Sequence, residues 1–235
     1  MSSSLKTNRD AQDGAGLVDV QGDAGLVLEQ IEISDARAPL LSVNAKIPPG
    51  EVLTLMGPSG VGKSTLISAI SGFLPRAFTC RGRILLGGND ITTLPPEQRR
   101  VGVLFQDTLL FPHFSVLENV LYALPPGGSM KQRCEEALGL LAAVSLRNFA
   151  ERDPETLSGG QKARVALVRV LASRPRALLL DEPFSKLDAD LRDSVRQLVF
   201  AEVRRRNLPT LLVTHDQGDA DIAEGPILTL DSGKI

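Results

Sequence analysis

Nine consecutive residues, Gly57-Pro58-Ser59-Gly60-Val61-Gly62-Lys63-Ser64-Thr65, restrict what this chain can fold into more than any other stretch. They fit G-x-x-x-x-G-K-[ST], a loop whose backbone N–H groups wrap phosphate oxygens. Before it, Glu51-Val52-Leu53-Thr54-Leu55-Met56 reads as a buried strand. After it, Leu66, Ile67 and Ile70 fall on one face of a helix that Gly72 and Pro75 close. Strand, loop and helix is the context the motif needs. Gly57, Gly60 and Gly62 permit the sharp turns, and the helix N-terminus adds its partial positive charge. Within the loop that Pro58, Ser59, Val61 and Thr65 complete, Lys63 is expected to bridge the outer phosphates and the Ser64 hydroxyl to ligate Mg²⁺. The sequence therefore predicts a nucleoside triphosphate site.

Composition narrows the rest. The chain has 235 residues, 43% hydrophobic and 23% charged, which suits a globular core of one large or two small domains. A formal net charge of −2 gives no reason to expect a nucleic-acid partner. The one dense basic run, Arg204-Arg205-Arg206, ends a helical pattern, where cations suit the helix dipole. Two cysteines, Cys80 and Cys134, make neither a disulfide framework nor a metal pair. Cys134 shares a helical face with Ala137, Leu138 and Leu141 and is expected in the core. The start, Met1-Ser2-Ser3-Ser4-Leu5-Lys6, lacks a signal-peptide pattern, and no apolar run reaches the length of a membrane span. A reducing cytoplasm is predicted, with any membrane role mediated by a partner.

Residues 1–25, polar and glycine-rich, read as a disordered or loosely attached tail. Leu26 to Ile33 and Leu40 to Ile47 read as strands, with Pro48-Pro49-Gly50 turning into the phosphate-loop strand. Arg83 to Leu86 reads as another strand, followed by a turn at Gly87-Gly88-Asn89-Asp90. The short connections make these strands partly antiparallel. Val101 to Gln106 reads as a buried strand. From Asp107 to about Gly160 helical signals take over, with Met130, Cys134, Ala137, Leu138, Leu141 and Val144 as one apolar stripe. This predicts a helical insertion over about 107–160. A helix from Gln161, an apolar strand Ala177 to Leu180, a helix Leu191 to Arg206, and strands Thr210 to Thr214 and Ile227 to Leu230 follow. Their alternation implies a parallel sheet. The expected architecture is α/β: a phosphate-loop NTPase core with a mixed sheet, a small antiparallel β subdomain and the helical insertion.

In such a sheet, ligands sit beyond the carboxyl ends of the strands. Leu178-Leu179-Leu180-Asp181-Glu182 ends there in two acids, so Asp181 is expected near the Mg²⁺ through a metal-bound water. Glu182 is expected to polarise the water that attacks the outer phosphate. His215 follows the strand Leu211-Leu212-Val213-Thr214 and points to the same edge, with a hydrogen bond to the outermost phosphate as its role. Gln106 ends another strand, and its amide can reach Mg²⁺ or the attacking water. His113, among Phe111, Pro112 and Phe114, reads as structural or as part of a contact surface. Leu157-Ser158-Gly159-Gly160-Gln161 opens a helix. Ser158 is a good N-cap, and the glycines leave bare N–H groups facing outward, which makes a second phosphate site.

In this order, residues 57–65, Gln106, 157–161, 178–182, Ser185-Lys186-Leu187-Asp188 and His215 resemble the ATP-binding subunit of an ABC transporter over about residues 26–235. The resemblance implies ATP and Mg²⁺ as cofactors and a head-to-tail dimer of two cassettes, expected as a homodimer. Ser158, Gly159, Gly160 and Gln161 of one cassette would then bind the γ-phosphate on the other's phosphate loop. Asp188 would sit in the loop where the protomers communicate. The segment Leu109 to Val116 would help form the groove that accepts a coupling helix of a membrane permease.

Phe105-Gln106-Asp107 with Leu110-Phe111-Pro112-His113, and Asp181 to Asp188, look most like importer cassettes. Those serve sulfate, iron, thiamine, polyamines and similar solutes with an extracytoplasmic solute-binding protein. A bacterial branch without a regulatory tail is also similar. The subunit is expected at the cytoplasmic face of the plasma membrane. The alternatives are a soluble, non-transport ABC ATPase such as an assembly scaffold, and an exporter cassette.

There are two departures from the family pattern. The chain ends at Ile235 without the regulatory domain of many importer cassettes, so substrate feedback through such a domain is not expected. The aromatic that usually stacks on adenine, about two dozen residues before the phosphate loop, is missing: Ser34-Asp35-Ala36-Arg37-Ala38 stands there. Weak discrimination between ATP and GTP is therefore expected, with the Arg37 guanidinium as a substitute platform. The one tyrosine, Tyr122, lies in the helical region.

Overall fold

The computed structural model describes residues 25–36 and 38–230. All of the predicted tail except Gly25 lies outside the described residues, and so does Arg37. Two sheets share one core. Strands β1 (Leu26–Asp35), β2 (Pro39–Ile47), β4 (Phe78–Leu86) and β5 (Asn89–Asp90) form an antiparallel sheet in the order β2-β1-β4-β5. Strands β3 (Val52–Met56), β6 (Val101–Phe105), β7 (Ala177–Asp181), β8 (Thr210–Val213) and β9 (Ile227–Thr229) form the second sheet in the order β6-β7-β8-β3-β9. Every pairing in it is parallel. The core sheet, expected to be mixed, is thus parallel throughout, and the expected antiparallel β subdomain is the other sheet. The physical reason is that the short hairpin connections join antiparallel strands only, whereas each parallel strand is reached through a longer crossover.

Strand β1 shows how the sequence pattern survives an irregularity. Leu26 and Leu28 are fully buried, and so are Ile31 and Ile33, although the two pairs are out of phase by one residue. A bulge between Leu28 and Ile31 absorbs the extra residue, with Gln30 at φ 48°. Across the sheet the bulge faces Gly82 at φ 95°, where a Cβ would come within 2.3 Å of the Gln30 carbonyl oxygen. Only glycine fits there. Strand β4 starts at Phe78, five residues before the predicted Arg83, because its polar first half pairs with the far end of β1. The predicted turn at 87–90 contains the two-residue strand β5.

Helices cover both faces of the parallel sheet. On one face α1 (Lys63–Ser71) packs Leu66, Ile67 and Ile70 against Leu55, Leu179, Leu211 and Val213, and the antiparallel sheet closes over the same cluster. On the other, α5 (Gly159–Ala172) and α6 (Ala189–Arg205) bring Ala166, Leu167, Val199 and Phe200 against Leu178, Leu180 and Leu212. Side chains that alternate along β7 and β8 therefore serve opposite faces, which is why these strands read as unbroken apolar runs. Two short helices, α2 (Pro96–Arg99) and α7 (Gln217–Ala223), join strands at the sheet's edges.

Between β6 and β7 the chain forms α3 (Val116–Ala123), α4 (Met130–Ala143) and the start of α5, around a third cluster that includes Val116, Val120, Ala137 and Leu141. Each of the three helices opens with a serine capping box: Ser115 with Glu118, Ser129 with Gln132, and Ser158 with Gln161. The stripe expected along α4 is shorter than its sequence pattern. Ala137, Leu141 and Val144 are buried, but Cys134 is half-buried and Met130 is 68% exposed in the first turn, beyond the reach of α3 and α5. Phe105, expected in a buried strand, is 41% exposed because β6 is the edge of the sheet. Among the described residues no helix is long and apolar enough to cross a membrane.

Candidate functional site

The carboxyl ends of β3, β7 and β8, three neighbouring strands, place the predicted residues together. After β3 the loop turns through positive φ at Gly57, Gly60 and Gly62, of 150°, 85° and 98°. Gly62 is also the N-cap of α1, where a Cβ would meet Leu41 at 2.6 Å. With no side chain to cap it and no acid in its first turn, α1 presents its positive end and unpaired N–H groups to the cleft above. Lys63 is buried, and its ammonium donates to the carbonyl oxygens of Gly57 and Pro58 at 2.7 and 2.9 Å. The loop thus holds the charge against itself, over a site suited to an anion.

Ser64 Oγ donates to Asp181 Oδ1 at 3.2 Å, which joins the first turn of α1 to the end of β7. Burial pushes the Asp181 carboxyl above the usual range; the Ser64 hydrogen bond opposes the shift, and the neighbouring Glu182 adds to it. Glu182 itself sits at φ 46°, a left-handed conformation costly for a side chain of this size. It is held there by its N–H to the Val213 carbonyl at 2.9 Å and by the Ser185 hydroxyl on its own carbonyl at 2.8 Å. The turn sends its carboxylate into the cleft and within 3.2 Å of His215 Nδ1. His215 therefore meets Glu182, while its ring stays largely exposed.

The cleft has a volume of about 410 Å³. Its polar lining includes Ser59, Gly60, Lys63, Ser64 and Glu182. Asp35, Leu40 and Phe78 line it as well. Asp35 belongs to the stretch expected near the base, and Phe78 supplies an aromatic ring from a different strand. Sequence reading missed Phe78 because only the pairing of β4 with β1 brings it there.

Other predicted residues lie apart from this cleft. Gln106 is exposed one residue beyond Phe105, the partner of Asp181 in the register of β6 and β7. Ser158 caps α5 by accepting from Gln161 N at 3.3 Å, and Gln161 Oε1 accepts from Ser158 N at 2.9 Å. Gly159 is exposed with open space at its Cβ position, whereas Gly160 is buried against Leu191. Ser158 and Gly159 are not among the cleft's lining residues. Asp188 is exposed at the N-cap of α6.

A second constellation surrounds the loop after Gln106. Phe111 packs edge-on against Phe114 and Tyr122, with ring centroids 5.4 and 5.1 Å away, and His113 stacks edge-on to Phe114. Tyr122 is 69% exposed and Leu109 59%, so an apolar surface faces outward. Two residues the sequence reading did not single out hold this loop. Buried Asn119 accepts from Phe111 N and donates to the Phe111, Phe114 and Ser115 carbonyls. Arg169, on α5, donates to the Leu109 and Thr108 carbonyls at 2.6 and 3.2 Å.

The family model described as ABC transporter matches residues 40–185, which span the phosphate loop, the aromatic loop and the end of β7. The chain is 50% identical over 180 residues to the ABC transporter ATP-binding protein YnjD of Escherichia coli (strain K12), covering 77% of this chain and 83% of the relative. It is 44% identical over 194 residues to a spermidine/putrescine import ATP-binding protein of Frankia alni, covering 82% of this chain and 41% of the relative. With an Fe(3+) ions import ATP-binding protein of Pectobacterium atrosepticum the identity is 41% over 197 residues, 82% of this chain and 54% of the relative. The chain thus spans about half the length of these import relatives.

Proposed function

Because this chain belongs to the ABC transporter family as an ATP-binding cassette, we propose that it is the ATP-hydrolysing subunit of a solute importer. The observation that carries this is the convergence of Lys63, Ser64, Asp181 and Glu182 on one cleft edge. The loop amides and Lys63 receive the phosphates. Ser64 and Asp181 fit Mg²⁺: both offer hard oxygen donors, and a cation beside Asp181 would relieve the cost of its buried charge. Among the described residues no group of three or more His, Cys, Asp or Glu could hold a metal alone, so phosphates and water would complete the ion's shell. When bound, the ion supplies charge neutralisation at the phosphates. Glu182 accepts the proton of the attacking water, and His215 steers its carboxylate from 3.2 Å. Gln106 completes the site from the neighbouring strand end.

Ser158, Gly159, Gly160 and Gln161 act on the phosphates bound by a second cassette, since none of them lines their own cleft, and Asp188 lies at the contact between protomers. The aromatic loop receives the membrane permease at the cytoplasmic face, and a solute-binding protein delivers cargo outside. Relatives named for polyamine and iron import support this direction of transport. The central test is Glu182→Gln, which keeps shape but removes the base. Hydrolysis should fall roughly 10²–10⁴-fold, the usual worth of a general base. Nucleotide binding should persist, and the protein should accumulate as an ATP-bound dimer on size exclusion. Turnover near the parental rate would remove Glu182 from this role.

A further inference from the structure

We propose that Phe78 is the platform on which the nucleotide base stacks, an inference that rests on the nucleotide-binding reading above. The phosphate loop fixes one end of the ligand, so ribose and base must run toward the other end of the same cleft. Leu40 and Phe78 line that cleft together with the loop residues, and so does Asp35. Among the described residues that line the cleft, Phe78 is the one aromatic. It stands directly opposite Asp35 in the antiparallel register of β4 and β1, and opposed residues present their side chains on the same face.

The ring is fixed before any ligand arrives. Phe78 N donates to the Pro75 carbonyl at 2.9 Å, and the side chain packs, partly buried, on the core cluster beneath. One part of the ring is anchored and another faces the cleft, so a base stacking on it would cost little side-chain entropy. The stretch Ser34 to Ala38 has no ring to offer. The neighbouring strand provides one at the place that stretch would have served. A flat apolar platform attracts any base through its π-face and reads no hydrogen-bonding edge. Phe78 therefore sets affinity for the nucleoside without setting strong preference between ATP and GTP.

The test compares Mg²⁺ complexes of ATP, GTP and inorganic tripolyphosphate on the full chain. Phe78→Ala should weaken ATP and GTP about 5- to 140-fold, the range for loss of one stacked base, and leave tripolyphosphate binding unchanged. Phe78→Leu, which keeps apolar bulk without a π-face, should also lose nucleoside affinity, whereas Phe78→Trp should retain it. The chain contains no tryptophan, so the Phe78→Trp protein carries a single fluorophore at the platform. Its emission should be quenched by ATP and not by tripolyphosphate. Parental ATP affinity in both Phe78→Ala and Phe78→Leu, with tripolyphosphate still bound, would overturn the assignment of Phe78 and leave the phosphate site standing. A parent chain that binds neither ATP nor tripolyphosphate would overturn the nucleotide reading, and this inference with it.

Discussion

Asp181 shows how a residue's cost in one state becomes its use in another. Burial raises its pKa in the folded chain, whereas the unfolded chain keeps it near the ordinary value of about 3.9. The folded state therefore holds this proton more tightly. The contribution to stability is greatest below the unfolded pKa and is lost as pH rises through the folded one. As pH rises through that folded pKa, the ligand-free protein takes on a carboxylate charge that its surroundings disfavour. Asp181→Asn keeps an acceptor for the Ser64 hydroxyl and removes that charge. Thermal melting without nucleotide should show the Asn variant more stable than the parent at pH 7–8, with the difference closing toward pH 4. Its Mg²⁺-dependent nucleotide affinity should fall about 10–100-fold, as for loss of an outer-shell metal partner. An Asn variant that melts below the parent at neutral pH would show that the carboxylate is compensated within the apo protein.

At the scale of elements, α6 does what no single motif records. Its Arg192 donates to the Leu187 carbonyl at 2.9 Å and pairs with Asp216, which ties the loop at 185–188 to the turn that carries His215. One turn on, buried Arg196 contacts Asp193, Asp216 and Asp219, and Asp219 in turn accepts from the Thr214 hydroxyl. Arg196→Ala would leave Asp219 buried without its guanidinium, and should cost about 3–5 kcal/mol in urea unfolding. Arg196→Met combined with Asp219→Leu should be markedly less destabilised than Arg196→Ala, since apolar packing replaces both charges. Equal losses would mean that the network stabilises by more than cancelling its own burial. This network was not legible in the sequence, because it joins Arg196 to Asp216 and Asp219, 20 and 23 residues further along the chain. Strands β3, β7 and β8 and helices α1 and α5 were legible, because local apolar periodicity and glycine placement determine them. The carboxyl-end residues Asp181, Glu182 and His215 followed from the strands. What periodicity could not supply was pairing between distant segments: the bulge of β1 against Gly82, the grip of Asn119 on the aromatic loop, and Phe78 beside Asp35.

At the scale of the whole molecule, the phosphate cleft and the helix opening at Ser158 are separate surfaces of one chain. Ser158 and Gly159 are exposed, and α5 brings its positive helix end to the surface there, with Ser158 Oγ accepting from Gln161 N. In the proposed dimer each active site joins the cleft of one protomer to this helix end of the other. Ser158→Arg should then spare nucleotide binding by the isolated subunit, since its own loop is intact, and should abolish most hydrolysis by blocking the partner's site. A dimer of one Ser158→Arg subunit and one Lys63→Ala subunit has one site in which the Lys63→Ala loop faces the Ser158→Arg helix, and one in which both contributions are parental. The doubly changed site should be silent and the other chemically complete, so activity absent from either variant alone should reappear on mixing, up to about half the parental rate if the two sites fire independently. Activity that never reappears in mixed dimers, despite their formation, would mean that both sites must work together. Loss of nucleotide binding by the Ser158→Arg monomer would mean instead that the serine serves its own protomer's cleft, which its position on the surface argues against.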